Sequence, residues 1–87
     1  MKHASAQTLE HLEQLLGELR NFAELKEKKP GIFYYRSGAF LHFHEDPTGI
    51  FADVKIGDDW LRIEASGEAG QQEVLHRVSN LLKSVIK

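Results

Sequence analysis

The chain has no cysteine at any of its 87 positions. That excludes a disulfide staple, a thiolate nucleophile and every metal site built on sulfur. It also suits a reducing compartment, so a cytoplasmic location is expected. Long apolar runs are missing too. Nothing approaches the ~18 uninterrupted apolar residues of a membrane-spanning helix. The opening Met-Lys-His-Ala-Ser-Ala-Gln holds no apolar signal core, so neither a leader nor a membrane partner is expected. There is no excess of positive charge, the formal net charge being −2. Nucleic-acid binders usually carry a basic stripe, so nucleic acid is not an expected partner. Met1 is the only methionine, which leaves no Met-rich binding groove. Aromatics are nearly absent from both ends: seven of the eight lie between Phe33 and Trp60, and only Phe22 lies outside.

What is present is ordinary for a globular protein, with 41% hydrophobic and 28% charged residues. At this length the expectation is a single domain, 1–87, of modest stability, roughly 5–10 kcal/mol. Leu9, Leu12, Leu16, Leu19 and Ala23 recur at helical spacing, with Leu15, Phe22 and Leu25 beside them, and predict a helix over about 7–28. Ser5 or Thr8 can cap it, and Pro30-Gly31 ends it. Gly17 is a weak spot of ~1 kcal/mol inside that helix, which a close backbone contact with the sheet would explain.

Four alternating stretches follow, about 32–36, 39–45, 49–56 and 59–65, joined at Ser37-Gly38, Pro47-Thr48 and Gly57-Asp58. Two-residue turns make antiparallel hairpins and set their register. A last helix is expected over about 68–85, with Val74, Val78, Leu81 and Val85 as its stripe. The fold class is therefore α+β: a two-layer α-β-β-β-β-α sandwich, a four-stranded antiparallel meander with both helices on one face.

Alternation then divides the sheet. One face gathers Leu41, Phe43, Ala52, Val54, Leu61 and Ile63 and should meet the helices. The other is expected to carry three rows: Tyr35, Phe40, Lys55 and Trp60; then Phe33, His42, Asp53 and Arg62; then His44, Phe51 and Glu64. Five large aromatics on an uncovered face would approach the ~300–600 Å² beyond which an apolar patch usually binds something.

Two sharper chemistries sit on that face. His42-x-His44 with Asp53 opposite is a set of two imidazoles and a carboxylate suited to a divalent metal. The plain alternative is a polar ladder in which Asp53 pairs with His42 and Arg62. The same row could do catalysis, with Asp53 orienting His42 as a base and Arg62 holding an anion. No Ser or Cys nucleophile and no Gly-rich phosphate loop accompanies it, so the balance is against an enzyme.

The run Phe-Leu-His-Phe-His-Glu-Asp-Pro-Thr-Gly-Ile-Phe-Ala-Asp-Val at 40–54, preceded by Gly-Ile-Phe-Tyr, resembles a segment of small uncharacterised bacterial proteins across about 29–83. The resemblance implies a bacterial, cytoplasmic origin and brings no activity with it. The leading expectation is a non-enzymatic interaction module that forms a homodimer, or binds a protein partner, through an aromatic open face. The alternative is a metal- or small-ligand-binding protein using His42, His44, Asp53 and Arg62, with no cofactor beyond a possible divalent metal.

Overall fold

The computed structural model of the chain describes the backbone of residues 2–86 and the side chains of residues 4–83. It is an α+β two-layer sandwich. In chain order the elements are β1 (Lys2–His3), α1 (Ala6–His11), α2 (Glu13–Arg20), β2 (Leu25–Lys29), β3 (Ile32–Tyr35), β4 (Gly38–Asp46), β5 (Gly49–Ile56), β6 (Asp59–Glu64) and α3 (Glu68–Ile86). The antiparallel sheet runs β2-β3-β4-β5-β6, and β1 pairs with β4. Strand β4 outruns β3, and β1 covers part of the exposed remainder, Lys2 opposite Glu45 and His3 opposite His44.

The second and third hairpins have the register that their short turns dictate: His42 pairs with Asp53, and Asp53 with Arg62. On the face that meets the helices, Leu41, Phe43, Ala52, Val54 and Ile63 join Leu12, Leu15, Leu16 and Leu19 from the N-terminal helices. Val74, Val78 and Leu82 of α3 complete the same cluster. Val85, expected in that stripe, lies outside the described side chains. No described helix is long and apolar enough to cross a membrane.

The N-terminal half differs from the single helix expected over 7–28. Ser5 caps α1, its hydroxyl accepting from the Thr8 amide, and the helix breaks at Leu12 before α2 begins. Residues 25–29 then form an edge strand against β3. Helical propensity is a weak preference that tertiary pairing overrides. As a strand, this segment gives β3 a hydrogen-bonding neighbour and leaves the lysines at the sheet edge, where they discourage edge-to-edge association. Pro30-Gly31 is thus a hairpin turn, with Gly31 at φ 79°. Glu27 ties the strand down on the helix side, accepting from Arg20 Nε at 2.6 Å and from the Gly31 amide at 3.0 Å. Burial pushes the Glu27 carboxyl up, but the Arg20 and Gly31 hydrogen bonds and the Arg20 charge together hold it below the ordinary range.

The first hairpin also departs from its expected register. Its turn is Arg36-Ser37, with Arg36 at φ 59°, so Tyr35 faces Gly38 and Tyr34 faces Ala39. A bulge then inserts Phe40, after which Phe33 pairs with Leu41 and Ile32 with His42. Two residues opposing one on the partner strand re-aim side chains. Phe33 is 1% exposed and Phe40 8% exposed, both in the helix-covered core, with Tyr35 packed against it.

The aromatic open face is therefore corrected. Phe33, Phe40 and Tyr35 belong with the core, and the interaction module or homodimer built on that patch loses its basis. Of the aromatics assigned there, only Phe51 and Trp60 remain on the face away from the helices, and Ile32 and Tyr34 take the places given to Phe33 and Tyr35.

Two glycines test the packing in opposite directions. A Cβ on Gly70 would lie 1.8 Å from the Glu64 carbonyl oxygen, so α3 crosses the end of β6 only because nothing is there. Gly70→Ala should destabilise the protein by ~1–3 kcal/mol or more. Gly17, expected to sit against the sheet, would have nothing within 4 Å of an added Cβ. Gly17→Ala should instead stabilise by ~0.5–1 kcal/mol, because an exposed helical glycine only adds freedom to the unfolded chain. Urea unfolding of both variants checks the pair, and the signs should be opposite.

Candidate metal centre

The face away from the helices is organised by one transverse row: Lys29, Ile32, His42, Asp53 and Arg62, each opposite the next on neighbouring strands. His44, two residues along β4 from His42, falls on the same face and heads a second row with Phe51 and Glu64. Trp60 stands beside these rows, 41% exposed, with the Lys55 ammonium 5.0 Å from its ring centre. Its ring centre lies 4.5 Å from that of His42. The Trp60 and His44 rings thus flank the His42 imidazole on two sides.

His42 Nδ1 lies 2.8 Å from His44 Nε2, and His44 Nε2 lies 3.2 Å from Asp53 Oδ2. Asp53 is only 7% exposed, although no helix covers its face. Arg62 holds its carboxylate in a two-pronged pair, Nε to Oδ1 at 2.9 Å and Nη2 to Oδ2 at 3.1 Å. The Arg62 guanidinium also lies 5.9 Å from the Phe51 ring centre, so it is packed as well as paired.

His44 Nε2 faces both His42 Nδ1 and Asp53 Oδ2, so three atoms that can each offer a lone pair converge at one place, the donor set a divalent cation takes. The distances fit such an ion. The three donor atoms lie within 4.8 Å of one another. Two ligands about 2.0–2.2 Å from a tetrahedral metal are about 3.3–3.5 Å apart. The 2.8 Å pair must open by about half an ångström and the widest pair must close by up to about 1.5 Å, which side-chain rotation supplies. Arg62 would then stand behind the Asp53 ligand, fixing its orientation as outer-shell partners do.

The Arg62 hydrogen bonds hold the Asp53 carboxyl below its ordinary range, outweighing the burial that opposes them, and the Arg62 and histidine charges act in the same direction. A carboxylate depressed in the folded state stabilises the fold above its unfolded pKa, near 3.9. That contribution is lost as pH falls through the lower folded value. Arg62→Gln should therefore raise the Asp53 pKa, read by carboxyl ¹³C NMR titration, and move the start of acid unfolding to higher pH. An Asp53 titration that does not move would mean that Arg62 does not set the carboxylate's charge.

The structure thus brings His42, His44, Asp53 and Arg62 together, with Trp60 and Phe51 beside them, while Phe33, Tyr35 and Phe40 are elsewhere. Sequence reasoning missed a second group on the same face. Lys28, Lys29, Ile32, Tyr34 and Ala39 line a groove of about 520 Å³ that opens onto His42 and His44. Its signal was the alternation in Leu25-Lys26-Glu27-Lys28-Lys29, which fits an edge strand as well as a helix end. No family model, curated protein or solved structure matches this chain.

Proposed function

We propose that the chain is a divalent transition-metal-binding protein whose ligands are His42 Nδ1, His44 Nε2 and one Asp53 carboxylate oxygen. The observation that carries this reading is the convergence of those three donors on one face, with distances that bracket a tetrahedral site. Two imidazoles and a carboxylate suit zinc or ferrous iron. Three protein ligands leave at least one position for a molecule from outside, which is the arrangement of metal sites that bind or activate a ligand rather than only hold a fold together. A bacterial cytoplasmic setting goes with this reading, supported by the cysteine-free composition and by the resemblance of residues 29–83 to small bacterial proteins.

Cobalt(II) tests the proposal because its visible bands report coordination. Protein purified without a nickel column and stripped with a chelator should take up one equivalent, develop bands of a four- or five-coordinate site, and give the cobalt up to zinc. Uptake should weaken as pH is lowered, because protons then compete with the metal for the imidazoles. A spectrum identical to aqueous cobalt at pH 7.5, with no heat of zinc binding, would contradict the proposal.

A further inference from the structure

The groove beside the histidines says what the metal's outer position would take. Lys29 stands in the transverse row next to Ile32 and His42. Lys28 is the extra residue of the β2 bulge, and its ammonium sits 4.8 Å from the centre of the Tyr34 ring. The bulge therefore sets two consecutive lysines along one rim of the groove. Its lining is Lys28, Lys29, Ile32, Tyr34, Ala39, His42 and His44. No acidic side chain is among these described lining residues. The nearest acid of β2, Glu27, is turned to the helix side and engaged by Arg20. At the metal end, a divalent ion with Asp53 alone as its anionic ligand keeps net positive charge. Both ends of the groove therefore attract an anion, and the wall between them is the side chain of Ile32, the ring of Tyr34 and the methyl of Ala39.

We infer that the groove binds a small organic carboxylate, its carboxylate oxygen on the metal bound by His42, His44 and Asp53, its apolar body against Ile32 and Tyr34, and its charge further neutralised by Lys28 and Lys29. This rests on the metal reading. The apolar wall distinguishes an organic anion from an inorganic one: phosphate would gain the charge but leave Ile32 and Tyr34 uncovered. A volume of about 520 Å³ lies within the usual range for small-molecule sites. An anion in a partly desolvated groove gains more from two ammonium groups than it would in open solvent.

The test uses the full chain loaded with cobalt(II), with benzoate as the probe. Benzoate should shift the visible bands and should bind at least tenfold more tightly than acetate or inorganic phosphate. Replacing both lysines (Lys28→Gln with Lys29→Gln) should weaken benzoate about tenfold or more, and its affinity should then respond less to salt. Cobalt affinity itself should stay within about threefold, because neither lysine is a ligand. A Tyr34→Ala variant should weaken benzoate but leave acetate unchanged. Phosphate or acetate binding as tightly as benzoate would overturn the organic-anion assignment. Benzoate binding unmoved by the lysine or Tyr34 changes would overturn the groove as its site. If cobalt binds with aqueous-free bands and no anion perturbs them, this inference fails and the metal reading stands. If cobalt does not bind, both fail.

Discussion

Replacing Phe33 by alanine should destabilise the protein by ~3–5 kcal/mol, the range for emptying a buried aromatic position. For a chain of this size that is a large part of the total stability, and the variant should be partly unfolded near room temperature. The size of the effect follows from the bulge at Phe40. Without it, Phe33 would face away from the helices and its loss would cost little. With it, Phe33 pairs with Leu41 and is 1% exposed. Ile32→Ala, on the opposite face, should cost markedly less. Urea unfolding of the two variants compares the faces directly: a Phe33→Ala loss below ~1 kcal/mol, or one smaller than that of Ile32→Ala, would place the wrong side of β3 inward.

The second large effect concerns the metal. His44→Ala removes the atom that lies between the other two donors, 2.8 Å from His42 Nδ1 and 3.2 Å from Asp53 Oδ2. Cobalt affinity should fall by about 100-fold or more, beyond the 10–100-fold typical of outer-shell changes. Asp53→Asn should do at least as much, since it removes the only anionic ligand. Glu64→Gln lies on the same face, in the row of His44 and Phe51, but outside the donor triangle. It should leave cobalt affinity nearly unchanged. Equal losses in all three variants would point to diffuse electrostatic attraction rather than coordination. Far-UV circular dichroism of each metal-free variant separates lost coordination from lost fold.

The parts of this molecule that were legible in the sequence are those whose turns dictate them. Asp46-Pro47-Thr48-Gly49 and Gly57-Asp58 permit few geometries, so the pairing of His42 with Asp53 and of Asp53 with Arg62 follows from counting outward. The ligand triad inherits that certainty, because all three donors belong to β4 and β5. The first hairpin was not legible for the opposite reason. Arg36 takes a left-handed conformation that no glycine or asparagine announces, and a bulge has no compositional mark when the inserted residue is a phenylalanine. One displaced residue then exchanged the faces of β3 and created an aromatic surface on paper that the folded chain does not have. The strand at 25–29 was hidden by competition. Leu25 continues the leucine stripe of the helix before it, and lysine and glutamate are good helix formers. Only the tertiary need for a neighbour on the free edge of β3 decides against the helix, and local sequence does not carry that need. The groove that Lys28, Lys29, Ile32 and Tyr34 form with the histidines was lost with both errors at once, since it needs the new strand and the corrected face together.

The most direct measurement of the central claim is an anomalous difference map, recorded at the zinc absorption edge, from crystals of the full chain grown with zinc. A peak is expected about 2.0–2.2 Å from His42 Nδ1, His44 Nε2 and an Asp53 carboxylate oxygen, with the two imidazole nitrogens moved apart from their 2.8 Å separation and Arg62 still paired with Asp53. A map with no peak there, or with zinc only on the exposed His11 or His76, and with the His42–His44 hydrogen bond intact, would contradict it.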